Sequence, residues 1–232
     1  LALQGPKAAS VLAQTFFELA DVIEQLATMH FFESEVAVDS GIVEATICRS
    51  GYTGEDGFEL SVPVDKAKAV AAKLLNHTEL EWVGLGARDS LRLEAGLCLY
   101  GQDIDESTSP IVGGLGWCIG KSRRVGGERP GGFPGSEIIL KQLDKGVSRR
   151  LKGFIVDGKV PVREGAKIVD EAGSCCGVVT SGGYSPSLAK PVLMTYVEST
   201  VLDACNTLSA IVRGKRIPLI QAALPFVKRA GE

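Results

Sequence analysis

The sequence predicts an α+β region followed by an all-β region, and three observations carry that reading. Residues 1–120 mix alternating apolar and polar stretches with segments of helical period. From Arg149 onward the chain reads as short strands divided by turn signals. Between them lies KSRRVGGERPGGFP, Lys121–Pro134, rich in glycine and charge and the clearest boundary in the chain. The expected organisation is therefore 1–120 as the α+β domain, 121–148 as a linker with a short helix, and 149–232 as the β domain.

Leu1–Leu3 is a short apolar strand. Gly5 and Pro6 break it, and Pro6 suits the first turn of a helix carrying Ala8, Val11 and Leu12 on one face. GIVEATICR, residues 41–49, alternates as a half-buried strand does. FELSVPV, residues 58–64, alternates likewise, and the two read as a β-hairpin around the glycine-rich SGYTGEDG. Asp65 is the expected N-cap of a helix through AKAVAAKLLNH, with Val70 and Leu74 on its buried stripe. After EWVGLG, a helix ARDSLRLEA ends at Gly96. LCLYG, residues 97–101, reads as a compact strand. The short helix GSEIILKQLDKG follows the boundary. LKGFIVDG, AKIVDEAGS, CGVVTSGG, PVLMTYVES and TLSAIVRGKRIPLI then supply the strands of a sandwich or small barrel.

The 232 residues are 45% hydrophobic and 23% charged, enough apolar content for substantial cores and unlike a disordered chain. A formal net charge of −3 gives no electrostatic footprint for nucleic acid. The basic KSRR run is read as a solvated connector. No apolar run approaches the ~20 residues of a membrane helix, and the first residues, LALQGP, show no targeting pattern. They read as a strand and a helix start, as though the chain begins inside a domain. Cys48, Cys98, Cys118, Cys175, Cys176 and Cys205 show no C-x-x-C spacing and are expected to be reduced thiols of an intracellular protein. With only His30 and His77, no metal site is expected.

Glu59 is the first candidate for chemistry. In the hairpin, Phe58, Leu60 and Val62 share one face, and Glu59 and Ser61 the other. That second face is either solvent or the wall of a pocket. In a pocket, the carboxylate could accept two parallel N–H bonds from a flat heterocycle. Gly51, Gly54 and Gly57 would let the loop approach a ligand, and Tyr52 offers a ring and a hydroxyl. Arg88 is the second candidate. A cation in the first turn of a helix opposes the macrodipole. It is either a site residue or a surface partner of Glu55 or Asp56. The GLG at 84–86 is too short for a dinucleotide fingerprint. TSGGYSPSL, residues 180–188, reads as a structural turn, because two histidines cannot supply a hydrolytic triad around it.

SGYTGEDGFEL, GLGARDSLRLEAGLCLYGQDID and VTSGGYSPSL, in this order with LALQGP and GFPGSEII, resemble the aminomethyltransferase family, the T-protein of the glycine cleavage system. The matches span nearly the whole chain. The resemblance implies an incomplete ferredoxin-like first domain and a C-terminal antiparallel β-barrel. It implies transfer of the one-carbon unit of aminomethyl-lipoyl H-protein to tetrahydrofolate, giving 5,10-methylenetetrahydrofolate, ammonia and reduced lipoyl-H-protein. It assigns Tyr52, Glu59 and Arg88 to the folate site, Tyr100 to its wall, and Arg163 to contact with H-protein. Tetrahydrofolate is the co-substrate, and lipoate arrives on the H-protein. The location it implies is the mitochondrial matrix in a eukaryote and the cytoplasm in a bacterium.

The family has a substantial portion before LALQGP, including the Asp that acts at the folate N5 nitrogen. It often has a C-terminal folate-binding Tyr where this chain reads LPFVKRAGE. The resemblance thus makes this chain a C-terminal part with no catalytic residue, inactive alone and at best a weak folate binder. Three alternatives stand beside it. One is a folate-binding relative in iron–sulphur assembly, typified by K-G-C-Y-x-G-Q-E where this chain has AGLCLYGQDID. The second is the C-terminal part of a folate-linked dimethylglycine or sarcosine dehydrogenase. The third is a module that retains only an H-protein docking surface.

Overall fold

A computed structural model describes residues 1–204 and 207–228. Cys205 and the chain end 229–232 lie outside the described residues. The chain divides into two compact units, Leu1–Arg92 and Leu93–Val227.

The first unit is a four-stranded antiparallel sheet with helices on one face. Strands β1 (Ala2–Gln4), β2 (Phe31–Val38), β3 (Gly41–Cys48) and β4 (Gly57–Ser61) run in the spatial order β1-β4-β3-β2. Helices α1 (Ala8–Thr15), α2 (Ala20–Gln25), α3 (Ala67–Leu74) and α4 (Leu85–Glu94) follow the chain order. Alternation decides the faces. Val36, Val43, Ile47, Phe58, Leu60 and Leu3 turn inward and meet Val11, Leu12, Phe16, Ile23, Val70 and Leu74 from the helices. The expected β3–β4 hairpin forms, with Ile47 opposite Leu60 and Cys48 opposite Glu59. Strand β2, unmarked in the sequence reading, pairs with β3 through the two-residue turn Asp39–Ser40. Asp65 does not cap α3. Lys66 occupies the N-cap position without a side-chain cap, and Asp65 pairs loosely with it at 3.8 Å.

One staple holds the hairpin loop. The Arg49 guanidinium donates to both Asp56 carboxylate oxygens at 3.0 and 2.8 Å. It also donates to Leu26 O at 2.9 Å, where α2 ends. The bond to Asp56 raises the Arg49 pKa further, against the opposing effect of its burial. Arg49→Ala is expected to lower the stability of this unit by ~1–3 kcal/mol, because a charge-assisted pair and a helix-end cap go together. Urea denaturation checks this.

In the second unit, α5 (Ser136–Lys145) precedes the strands β5 (Arg149–Val156), β6 (Lys167–Val169), β7 (Cys175–Ser185), β8 (Lys190–Glu198), β9 (Leu208–Val212) and β10 (Lys215–Ala222). The short α6 (Ser199–Ala204) follows β8. The strands close into an antiparallel barrel in the order β10-β5-β8-β7-β6-β9, which resolves the choice between sandwich and barrel. Closure removes the exposed edges an open sheet would leave. Strand β8 is buried along PVLMTYV because both its faces are covered. Leu193 and Val197 join Phe154, Val179 and Ile168 in one apolar cluster. Val192, Met194 and Tyr196 join Leu93 and Leu151 in another.

Three local expectations fail here. LCLYG is not a strand. Gly96, at φ 67°, ends α4 as expected, but the chain beyond it has no neighbouring strand. The Leu99 N–H goes to Asp103 Oδ2 (2.9 Å) and the Gly101 N–H to Ile104 O (2.8 Å), with one isolated bridge from Tyr100 to Ile104. KSRR is not merely a solvated connector. Arg124 donates to Ile119 O and Gly116 O, both at 2.9 Å, and Arg123 to Gly131 O at 3.1 Å. TSGGYSPSL begins as the end of β7 and only then turns. Buried Glu94 gathers the Ser185 hydroxyl (2.5 Å), the Ser187 N–H (3.0 Å) and the Ser187 hydroxyl (2.9 Å).

All cysteines among the described residues are free thiols. Adjacent Cys175 and Cys176 face opposite ways on β7, exposed and buried respectively. Burial pushes the Cys176 thiol up to about 11 and the Tyr196 phenol up to about 12. Both groups hold their protons more tightly in the folded chain. The stability this supplies is complete below the ordinary values of 9.0 and 10.0 and is lost as pH rises through 11 and 12. In native protein, a thiol reagent should modify Cys118 and Cys175 readily and Cys176 only on unfolding. The urea midpoint should fall above pH ~9. Mass-mapped labelling and a pH series of denaturation curves check both.

Candidate functional site

The first unit contains an open cavity of about 680 Å³. Its walls are β1, the loop at 51–53, the outward face of β4, the helix α3, the segment 79–85 and α4. Tyr52, Glu59 and Arg88, picked out in the sequence on separate grounds, all line it.

Each is placed by a local rule. Glu59 follows Phe58 on β4, so period-2 alternation turns it away from the core while Phe58 and Leu60 are buried. Its Oε2 accepts a hydrogen bond from the Ser50 hydroxyl. Glu59 is exposed, yet its exposed face is the cavity wall, so the two readings open in the sequence describe one surface. Arg88 lies in the first turn of α4, with its guanidinium carbon 4.4 Å from the centroid of the Tyr52 ring. A cation over an aromatic face is stabilised by ~0.5–1 kcal/mol at an exposed position. The ring thus compensates a charge that the helix dipole disfavours. Of the acidic partners considered for Arg88, Asp56 is bound to Arg49.

Gly51 and Gly57 do something other than admit a ligand. A Cβ on Gly51 would fall 1.9 Å from Gln4 Oε1, and one on Gly57 would fall 2.4 Å from Gln4 Nε2. The Gln4 amide fills the space both glycines leave. It donates to Ser50 O (3.1 Å) and Phe58 O (3.4 Å) and accepts from the Thr53 hydroxyl (3.2 Å). Gln4 itself lines the cavity. The sequence held one signal for it: a polar residue closing an apolar strand immediately before Gly-Pro. Trp82, 73% exposed, also lines the cavity, and its signal was an aromatic residue in the short EWVGLG connection.

Tyr100 and Arg163 belong to the second unit. Tyr100 is exposed at its isolated bridge, and exposed Arg163 donates to Gly182 O at 3.4 Å. Among the described residues no group of His, Cys, Asp and Glu is placed to hold a metal ion, and no helix is long and apolar enough to cross a membrane. The chemistry on the cavity is a carboxylate acceptor, an aromatic ring under a guanidinium, and an apolar wall from Leu3, Leu74 and Leu91. That set fits a flat, N–H-bearing heterocycle with an anionic extension.

Known proteins resemble this chain along nearly its whole length. Residues 1–123 match the family model described as the GCVT N-terminal domain, and residues 149–228 match the glycine cleavage T-protein C-terminal barrel domain. The mitochondrial aminomethyltransferase of Pisum sativum is 46% identical over 229 residues, covering 98% of this chain and 53% of that protein. The mitochondrial aminomethyltransferase of Mus musculus is 44% identical over 227 residues, covering 98% and 54%. The crystal structure of glycine cleavage system aminomethyltransferase T from Bartonella henselae superposes with a TM-score of 0.84 at 43% identity, covering 98% of this chain and 59% of that one. The chain therefore spans about half the length of the curated relatives it matches. A two-part match at this identity, on an antiparallel sheet followed by a closed barrel, places the chain in the glycine cleavage T-protein (aminomethyltransferase) family.

Proposed function

We propose that this chain carries the folate-binding part of an aminomethyltransferase of the glycine cleavage system. The parent activity is transfer of the one-carbon unit from aminomethyl-lipoyl H-protein to tetrahydrofolate, yielding 5,10-methylenetetrahydrofolate and ammonia. The observation that carries the reading is the meeting of Tyr52, Glu59 and Arg88 on one cavity. Family membership supports it.

In this reading Glu59 accepts the paired N–H donors of the pterin edge and fixes the ring's orientation. Tyr52, held beneath Arg88, closes one side. Arg88 faces the anionic end of the ligand, and the apolar wall excludes water from the middle. The nitrogen that attacks the lipoyl-bound carbon is thereby held in place. Positioning of this kind supplies up to ~7–11 kcal/mol of rate acceleration in the best cases. In this reading the chain alone binds folate and does not turn over. Arg163 is the proposed contact for the lipoyl-bearing H-protein. The relatives named mitochondrial support the matrix as the location in a eukaryote; in a bacterium it is the cytoplasm.

Arg88→Ala tests the reading at its cation. Tetrahydrofolate affinity should fall by ~5- to 30-fold, or ~1–2 kcal/mol, with the unfolding midpoint nearly unchanged. Loss of fold with unchanged affinity per folded molecule would return Arg88 to a structural role.

A further inference from the structure

The site residues are themselves held by two side chains that the folate reading leaves unassigned. We infer that Ser50 and Gln4 are positioning residues: Ser50 aims the Glu59 carboxylate, and Gln4 clamps the loop that carries Tyr52. The inference rests on the folate reading of the cavity.

Glu59 projects from the open face of a strand, where a glutamate samples several rotamers. The Ser50 hydroxyl donates to its Oε2 and selects one of them. The donation occupies one oxygen only. Among the described residues Oε1 has no protein donor, and Oε2 keeps a second lone pair, so both oxygens can still accept the paired N–H groups of a ligand. The register makes this possible. Cys48 stands opposite Glu59 across the β3–β4 pair, and Ser50, two residues past Cys48, returns alongside it. A charge-assisted hydroxyl-to-carboxylate bond is among the stronger ones a neutral donor makes.

Gln4 acts one layer back. Its amide reaches the start of the loop at Ser50 O, the middle at Thr53 Oγ1 and the end at Phe58 O. Gly51 and Gly57 supply the slot in which that amide sits. From the other side, Asp56 is pinned by Arg49. Tyr52 lies between these fixings, so the ring over which Arg88 stacks is presented at a set height. A ligand then meets a carboxylate and a ring already in place and does not have to order them.

The test is an NMR titration of this chain with 5-formyltetrahydrofolate, followed at the indole N–H of cavity-lining Trp82. Five proteins are compared: the unaltered chain, Ser50→Ala, Ser50→Thr, Glu59→Gln and the Ser50→Ala/Glu59→Gln double variant. Ser50→Ala should weaken binding by about 3- to 10-fold, and Ser50→Thr, which keeps the hydroxyl, should restore it to within about twofold. The double variant should bind no more weakly than Glu59→Gln, because the hydroxyl acts through that carboxylate. Unchanged affinity in Ser50→Ala, or additive losses in the double variant, overturns the positioning role while leaving the cavity reading intact. A Trp82 signal that never shifts saturably overturns the cavity reading and the positioning role with it. For Gln4, hydrogen exchange of Gln4→Leu should quicken by ~10-fold or more at Tyr52–Glu55 and stay unchanged at Ile47 and Leu60. A uniform rise across the sheet, or none in the loop, overturns the clamp.

Discussion

Glu59→Gln is expected to weaken tetrahydrofolate binding by ~1–3 kcal/mol, roughly 5- to 150-fold in Kd, with little change in stability. The substitution keeps size and shape. It exchanges a carboxylate, which only accepts, for an amide that accepts at one atom and donates at the other. A heterocycle edge that offers two N–H groups would then meet an N–H with one of them. Stability should hold because Glu59 is exposed on β4, and the core face of that strand, Phe58 and Leu60, is untouched. Isothermal calorimetry reads the affinity and urea denaturation the stability. Equal affinity in the variant would make the outward face of β4 a solvent face and nothing more.

Asp103→Ala is expected to lower the stability of the second unit by roughly 3–5 kcal/mol. Asp103 is 1% exposed. Its Oδ1 accepts from the Thr180 hydroxyl at 2.5 Å, and its Oδ2 from the Ser181 hydroxyl and the Leu99 N–H at 2.8 and 2.9 Å. Its carbonyl accepts from the Tyr196 hydroxyl at 2.7 Å. One carboxylate thus fastens the irregular loop after Gly96 to β7, and its backbone fastens it to β8. Alanine would remove one acceptor from each of these donors, and a buried donor that finds no other costs ~1–3 kcal/mol. Thr180 retains its bond to Met194 O, which keeps the total below a simple sum. Asp103→Asn should cost less, since its amide oxygen can still accept and the hydroxyls can rotate. A loss below ~1 kcal/mol in Asp103→Ala would mean the loop is held by something else.

These two residues show what a sequence reveals and what it hides. Glu59 was legible because β4 alternates strictly and its odd residue is charged. Arg88 was legible because it breaks the dipole rule at a helix start. The barrel strands were legible from turn spacing. Asp103 was not, because its partners lie 77 and 78 residues along the chain and no local pattern records them. LCLYG misled for the complementary reason: its apolar run is only half-buried, ends on exposed Tyr100, and pairs with the chain through one isolated bridge. Strand β2 was missed although Val36 and Val38 alternate as β3 does, because the exposed Phe31 at its start blurs the pattern. The role of Gly51 and Gly57 was inverted. Their glycine character points to a close approach, and only the fold shows that the approaching group is Gln4. Arg123 and Arg124 looked solvated because a charge run gives no sign of the carbonyls it will find.

The measurement that tests the central claim most directly is a calorimetric titration of this chain with tetrahydrofolate, run beside Glu59→Gln. The account predicts saturable binding at one site, weakened in the variant. Absence of saturable binding, or identical isotherms for the two proteins, would contradict it.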